Sequence, residues 1–302
     1  MRLDLPREGF PDRDPKAPAA DRLVPLHAPE RMDDARATER PTSAPNRLPR
    51  SLPLRQTECA MRPGEQKILA EVGRFRLVSR SDLAEALRVV EGAQIEADLA
   101  FLRKKGWIRV ESIRQGRGLE RLLEVVTLTE AGYAVARHIP DLPRGQKLYA
   151  GGAKVQDIEH DVRIYRAYCR EAERIVREGG THLRVLLDAE LRSKVQKQIN
   201  AARRSDPERS LPEIRLEVAR ELDLPFANGG IQLPDARIEY EVDEGSRTGH
   251  EDIEVLSANY KAAHLRNKAQ AGFHVYASRS DRARLSTRIE QSGHLMDRVI
   301  EL

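Results

Sequence analysis

Three acids in the stretch IQLPDARIEYEVDEGSRTGHEDIEVL, residues 231–256, stand where a divalent metal ion could gather them: Asp235, Asp252 and Glu254. Read with a period of two, Ala236, Ile238, Tyr240 and Val242 line one face of a first strand, and Asp235, Arg237, Glu239 and Glu241 line the other. In the next strand Ile253 and Val255 point one way and Asp252 and Glu254 the other, with residues 245–249 as the hairpin loop. Carboxylates therefore collect on one face. Mg²⁺ takes oxygen ligands, usually one or two carboxylates completed by water and a substrate phosphate, so the expected cofactor is Mg²⁺ and the expected chemistry acts on phosphodiesters. Alternating apolar and charged residues also describe a half-exposed strand kept soluble by its outer face, so the spacing alone leaves both readings open.

These strands need neighbours to hold them. In DIEHDVRIYRAYCREAERIV, Ile158, Val162, Tyr165, Cys169, Ala172 and Val176 form one apolar helical stripe that must pack on a sheet. The sheet is expected from HLRVLLDAEL, the two acidic strands and FHVYA, with a helix ANYKAAHLRNKAQ crossing between the last two and SLPEIRLEVARELDL as an inserted helix. On the crossing helix Lys261, His264 and Lys268 share a face at i, i+3 and i+7. His160 at the start of the first helix invites two readings, support of a metal site or a surface and packing role.

Residues 61–139 read differently. EQKILAEVGRF and SDLAEALRV, the latter capped by Ser81, are two short helices, and AQIEADLAFLRKKG is a third that stops at Gly106. Residues 107–113 and 122–128 are β-like about a basic tip, QGRGLER, before Thr129 caps TEAGYAVARHI. Residues 140–155 hold two prolines and three glycines and read as a linker. Residues 1–60, rich in Pro, Arg, Asp and Ala, carry too little apolar area to offset ordering entropy and read as a disordered tail.

The whole chain of 302 residues, with 33% charged residues, contains no apolar run long enough to span a bilayer. Its amino-terminal residues have no signal-peptide core, and Cys59 and Cys169 are too few for a disulfide framework, so no membrane partner is expected and a cytoplasmic setting is. The net charge of +4 leans weakly toward polyanions. Its distribution says more, since basic residues concentrate near 103–121 and again near 192–204.

Three helices followed by a basic two-stranded wing resemble a winged helix-turn-helix, whose third helix enters the major groove. The resemblance implies a double-stranded DNA partner, with Gln94, Arg103 and Lys104 on the reading helix and Arg114, Arg117 and Arg121 on the wing meeting phosphates. Glu91, Glu96 and Asp98 place acid at the start of that helix and would repel phosphate. Such modules often bind paired half-sites as homodimers. The order helix, strand, strand, strand, helix, strand over residues 156–302 resembles the restriction-endonuclease-like core. Its signature is Pro-Asp, a spacer, then Asp/Glu-x-Lys; Pro234, Asp235 and Glu254 fit it, and Leu256 stands where the lysine belongs. Lys261 or Lys268 would have to substitute.

Taken with Glu159-His160-Asp161, Leu233-Pro234-Asp235, Asp252-Ile253-Glu254 and Tyr260 with the 268–276 stretch, the chain is similar to the replication-relaxation family of bacterial plasmid and mobile-element proteins. The resemblance implies an α+β protein, a winged helix joined to an α/β nuclease-like domain. The leading expectation is a mobile-element DNA-binding protein whose nuclease-like half has lost its lysine. The alternatives are an active Mg²⁺-dependent endonuclease, with Asp235 and Glu254 on the metal, Asp252 supporting them and Lys261 or Lys268 stabilising charge, and an adaptor that recruits a relaxase or replication initiator.

Overall fold

The computed structural model describes residues 61–302 apart from 92, 93, 116–120, 153, 155, 156, 258, 259 and 291–298; the expected tail of residues 1–60 lies outside them. Helix α1 (Pro63–Arg74) starts on a proline, with the Glu65 carboxylate accepting the Arg62 amide proton at 2.9 Å. After β1 (Val78–Ser79) comes α2 (Arg80–Glu91), and its cap is Ser79 rather than Ser81: the Asp82 amide donates to Ser79 Oγ at 3.3 Å. Helix α3 (Ile95–Lys104) buries Ile95, Leu99 and Leu102 and stops at Gly106, whose φ of +70° suits glycine. Strands β2 (Ile108–Gln115) and β3 (Arg121–Leu128) form an antiparallel hairpin, and β1 pairs with the far side of β3. Thr129 caps α4 (Glu130–Ala136) through the Gly132 amide at 3.0 Å. Gly132 is obligatory there, because a Cβ would lie 1.9 Å from the Trp107 carbonyl oxygen.

Residues 140–155 form no helix or strand among those described, yet they are fastened at several points. The Gln146 amide both donates to the Val185 carbonyl at 3.0 Å and accepts the Val185 amide proton at 2.8 Å, while Tyr149 and Gly151 donate backbone bonds to Gly73 and Leu128.

Helix α5 (Ile158–Arg177) follows, then β4 (Thr181–Leu187). Here the expected strand HLRVLLDAEL is cut short, because Asp188 opens a helix, α6 (Asp188–Ser205), that the sequence reading did not anticipate. Its apolar face is thin, with Leu191 and Val195 the buried residues, so no strong 3.6-residue period marked it. It packs on α7 (Leu211–Glu221), the inserted helix, capped by Ser210. A two-stranded ribbon of β5 (Phe226–Ala227) and β6 (Gly230–Ile231) leads to the acidic hairpin, β7 (Ala236–Val242) and β8 (Arg247–Leu256). The hairpin loop is tighter than the glycines suggested, a 3₁₀ turn at Asp243–Gly245. Gly249 belongs to the strand, opposite Tyr240, whose ring lies 2.7 Å from where a Cβ would project.

Helix α8 (Ala262–Ala271) then crosses to β9 (His274–Ala277), and α9 (Arg279–Glu290) to β10 (Val299–Glu301). The five strands lie in the order β10-β9-β8-β7-β4. Neighbours β10, β9 and β8 run parallel, while β8, β7 and β4 alternate. The fold is mixed α+β.

Helix α5 is buried on more than the one stripe anticipated. Ile164, Tyr165, Ala167, Tyr168 and Ile175 are buried, whereas Val176 is 58% exposed. One apolar cluster runs from Ile68, Leu69, Val72 and Phe75, through Tyr165 and Tyr168, to Val185, Ile238, Ile253 and Val255. Phe75 is the hinge of that cluster, with its ring centroid 5.0 Å from both tyrosine rings. Truncating Phe75→Ala should cost about 3–5 kcal/mol in urea unfolding. Because the core is continuous, the loss is expected in a single transition followed both by Trp107 fluorescence and by far-UV circular dichroism.

Candidate functional site

Asp235 is held by its own backbone before its side chain does anything. Its N–H donates to the Ile253 carbonyl at 3.0 Å and its carbonyl accepts from the Asp188 amide at 3.0 Å, which ties the start of β7 to β8 on one side and to the first residue of α6 on the other. Its Oδ2 accepts the Val255 amide proton at 2.8 Å, so the carboxylate is turned towards β8. The other oxygen, Oδ1, faces His160 Nε2 at 3.3 Å. Burial alone would lower the His160 pKa, but the hydrogen bond and charge of Asp235 outweigh it and raise the value.

Glu254 has 0% exposure, and a carboxylate in that position needs compensation. Lys268 Nζ donates to Oε2 at 2.8 Å, and the Tyr260 hydroxyl donates to Oε1 at 2.7 Å. The same ammonium donates to the Leu233 carbonyl at 2.6 Å and lies 5.2 Å from the centre of the Phe273 ring. Burial first, and the neighbouring Asp235 carboxylate second, push Glu254 up to about 8 against the pull of Lys268 and Tyr260. Burial likewise raises the Tyr260 phenol, helped by both carboxylates.

Asp235, Glu254 and Lys268 are thus brought together, and the other predicted residues are not. Asp252 points to the same sheet face as Glu254, but Arg237 Nε and Nη2 grip its two oxygens at 2.7 and 2.8 Å. That arginine also donates to the Leu222 and Asp223 carbonyls at 2.7 Å, closing the end of α7. Both oxygens of Asp252 are thus engaged by Arg237, and among the described residues no group of three or more His, Cys, Asp or Glu is placed to hold a metal ion. Lys261 is the exposed residue before α8 and makes no ion pair among the described residues. The His264 side chain lies outside the described residues. On the amino-terminal half, Arg103, Lys104 and Arg114 are exposed, and exposed Gln94 accepts from Arg62 at 3.3 Å. Arg117 and the Arg121 side chain lie outside the described residues. Of the acids expected to repel phosphate, Glu96 pairs with Arg80 and Asp98 with Arg62, while the Glu91 side chain lies outside the described residues.

Residues beside the site had no legible motif. Arg76, just past α1, pairs with Asp188 and sits 3.6 Å from Asp161, whose carboxyl burial pushes up to about 6 against the pull of Arg76. Burial raises the Cys169 thiol above its ordinary value. Comparison with protein-family models, with curated proteins and with solved structures returned no match.

The pair makes a stability prediction. In Lys268→Met, Glu254 loses its cation and its folded pKa rises further above the unfolded value, so the stability tied to its protonated form is lost as pH rises through that value. Denaturation should show a deficit of about 1 kcal/mol near pH 5.5, growing to about 2 kcal/mol near pH 9, once pH passes the wild-type folded value.

Proposed function

We propose that this chain acts on DNA, with residues 61–139 as a winged-helix docking module and the five-stranded half as a metal-dependent phosphodiester hydrolase of the restriction-endonuclease-like type. The observation that carries the reading is the position of Lys268, 2.8 Å from Glu254 on the adjoining helix. The acid-acid-lysine set is assembled even though Leu256 occupies the usual lysine place on the strand. The same reading accommodates the short motifs, Leu233-Pro234-Asp235 and Asp252-Ile253-Glu254, by which the sequence resembles replication-relaxation proteins of plasmids and mobile elements.

The residues fit a divalent ion. A buried carboxylate, Glu254, whose proton affinity is raised by burial and by the neighbouring Asp235 is the kind of group a cation relieves, and Mg²⁺ takes its remaining ligands from water and phosphate oxygen. Asp235 and Glu254 would hold it. When bound, such an ion polarises the phosphate and supplies a nucleophilic water. Lys268 would carry positive charge to the phosphate oxygens as negative charge develops. Tyr260 and the Val255 amide hold the two carboxylates in position, and His160 steadies the second oxygen of Asp235.

One observation favours a second reading, a DNA-binding protein without cleavage. Each oxygen of Asp235 and Glu254 already faces a protein donor, so the site is closed on itself. Supercoiled plasmid with Mg²⁺ or Mn²⁺ separates the two. Nicking by the wild type that falls at least about a hundredfold in Asp235→Asn, Glu254→Gln and Lys268→Met, and is unchanged in Lys261→Ala, is the expected result. Absence of nicking in folded wild type, or equal nicking by all variants, favours the binding protein.

The docking module has its own test. Substituting Arg103, Lys104 and Arg114 together by alanine should weaken duplex binding in a gel shift by on the order of tenfold or more and flatten its salt dependence by roughly 0.9 for each phosphate that is no longer neutralised. Unchanged affinity would remove residues 61–139 from the interface.

A further inference from the structure

Helix α6 offers a surface that neither the acid-acid-lysine site nor the winged helix uses. It springs from the candidate site, since its first residue, Asp188, donates its amide to the Asp235 carbonyl at 3.0 Å. Acids in this helix are confined to the first turn and are engaged there: Asp188 pairs with Arg76, and Glu190 with Arg184 at 3.0 Å. From Leu191 to Ser205 the helix carries Arg192, Lys194, Lys197, Arg203 and Arg204 and no acid. Its apolar side is spent on α7, where Val195, Ile199 and Ala202 meet Ile214, Val218 and Leu224. The opposite side is solvent-facing. At 100° per residue Ser193, Lys197, Asn200 and Arg204 fall in one stripe, and Arg192, Gln196 and Arg203 in the adjacent one. All seven are exposed, and Lys197, Arg203 and Arg204 make no ion pair within the described residues. Elsewhere on the fold many arginines are matched to carboxylates, as Arg174 is to Glu171, Glu178 and Glu251.

We propose that the exposed face of α6 is a docking ridge for the phosphate backbone of duplex DNA, leading that backbone to the Asp235-Glu254-Lys268 site. With 18 residues the helix is roughly 27 Å long, enough to follow several successive phosphates. The cations supply counterion release, and Ser193, Gln196 and Asn200 supply neutral hydrogen-bonding groups of the kind that meet phosphate and sugar oxygens. A rigid helix anchored at one end to Asp235 gives the duplex a fixed register against the acids. The assignment rests on the proposed action on DNA but not on cleavage.

The test is duplex binding by the full chain, followed by fluorescence anisotropy over a salt series without divalent ion. Lys197→Ala, Arg203→Ala and Arg204→Ala are combined, all at exposed positions, and a thermal melt verifies folding. A control combines Arg144→Ala, Lys154→Ala and Arg284→Ala, which removes the same charge from exposed positions outside residues 61–139 and α6. The α6 variant should lose affinity by on the order of tenfold or more near 0.1 M salt, with a slope of log affinity against log salt shallower by roughly 2–3. The control should stay within about twofold of wild type. An unchanged slope, an equal loss in the control, or a loss confined to single-stranded DNA overturns the ridge. Should the plasmid assay show no nicking while the α6 variant loses duplex affinity, the hydrolase reading falls and the ridge stands. Wild type that binds no duplex overturns both.

Discussion

Burying Glu254 completely is the constraint on which the rest of the site depends. A carboxylate with no water contact must be neutralised or held by donors, and the donors here come from beyond its own strand. Tyr260 reaches it from the segment after β8, and Lys268 from the following helix. The ion pair thereby fixes α8 against the sheet, and Phe273 and Leu265 complete the contact in a small apolar cluster with Leu256 and Val275. Leu256 is informative in this light. Its side chain is buried in the cluster that seats α8, so the position where the signature has a cation instead packs the helix that delivers one.

Asp235 is bound by a different logic. Its backbone joins β7 to β8 and to α6, and one carboxylate oxygen is spent on the Val255 amide. The residue is positioned by four separate hydrogen-bonding groups, counting the imidazole of His160, before any ligand arrives. Preorganisation of this sort is what a reactive constellation needs, since a displacement of about an ångström is enough to lower the rate. Arg237 and Asp252 do comparable work one register step along, locking the end of α7 to the sheet and thus the helical insertion to the hairpin.

Helix α5 connects these parts to the amino-terminal half. It touches the sheet with one side and Phe75, Leu77 and Asp82 with others, through ring contacts, apolar packing and the Arg166 to Asp82 hydrogen bonds at 2.9 and 3.1 Å. A helix buried on several sides cannot shift without disturbing both halves. Its amino-terminal turn carries His160 and Asp161, so the same element that unites the core also borders the acids.

Much of this was legible beforehand. The hairpin strands, the acids gathered on one sheet face, the cap at Thr129 and the stop at Gly106 depend on local periodicity and backbone chemistry, which a linear reading can follow. Asp235, Glu254 and Lys268 were among the residues expected to do chemistry for the same reason, being polar groups of the right type at regular spacing. Helix α6 was missed because its apolar period is weak, and the α5 stripe was drawn too narrow because the helix is covered from more than one side. Selection among the polar groups was beyond the linear pattern. Asp252 and Glu254 share a face and differ only in which cation reaches them, and Lys261 and Lys268 stand at the start and near the end of one helix and differ only in which lies over the acids. Sequence by itself determined the types of most elements up to β9, α6 apart, and the inventory of reactive groups, because those depend on neighbours in the chain. Tertiary structure decided which acids gather and which lysine lies over them, because ion pairs and hydrogen bonds in a buried site depend on partners 14 to 35 residues away, set by packing.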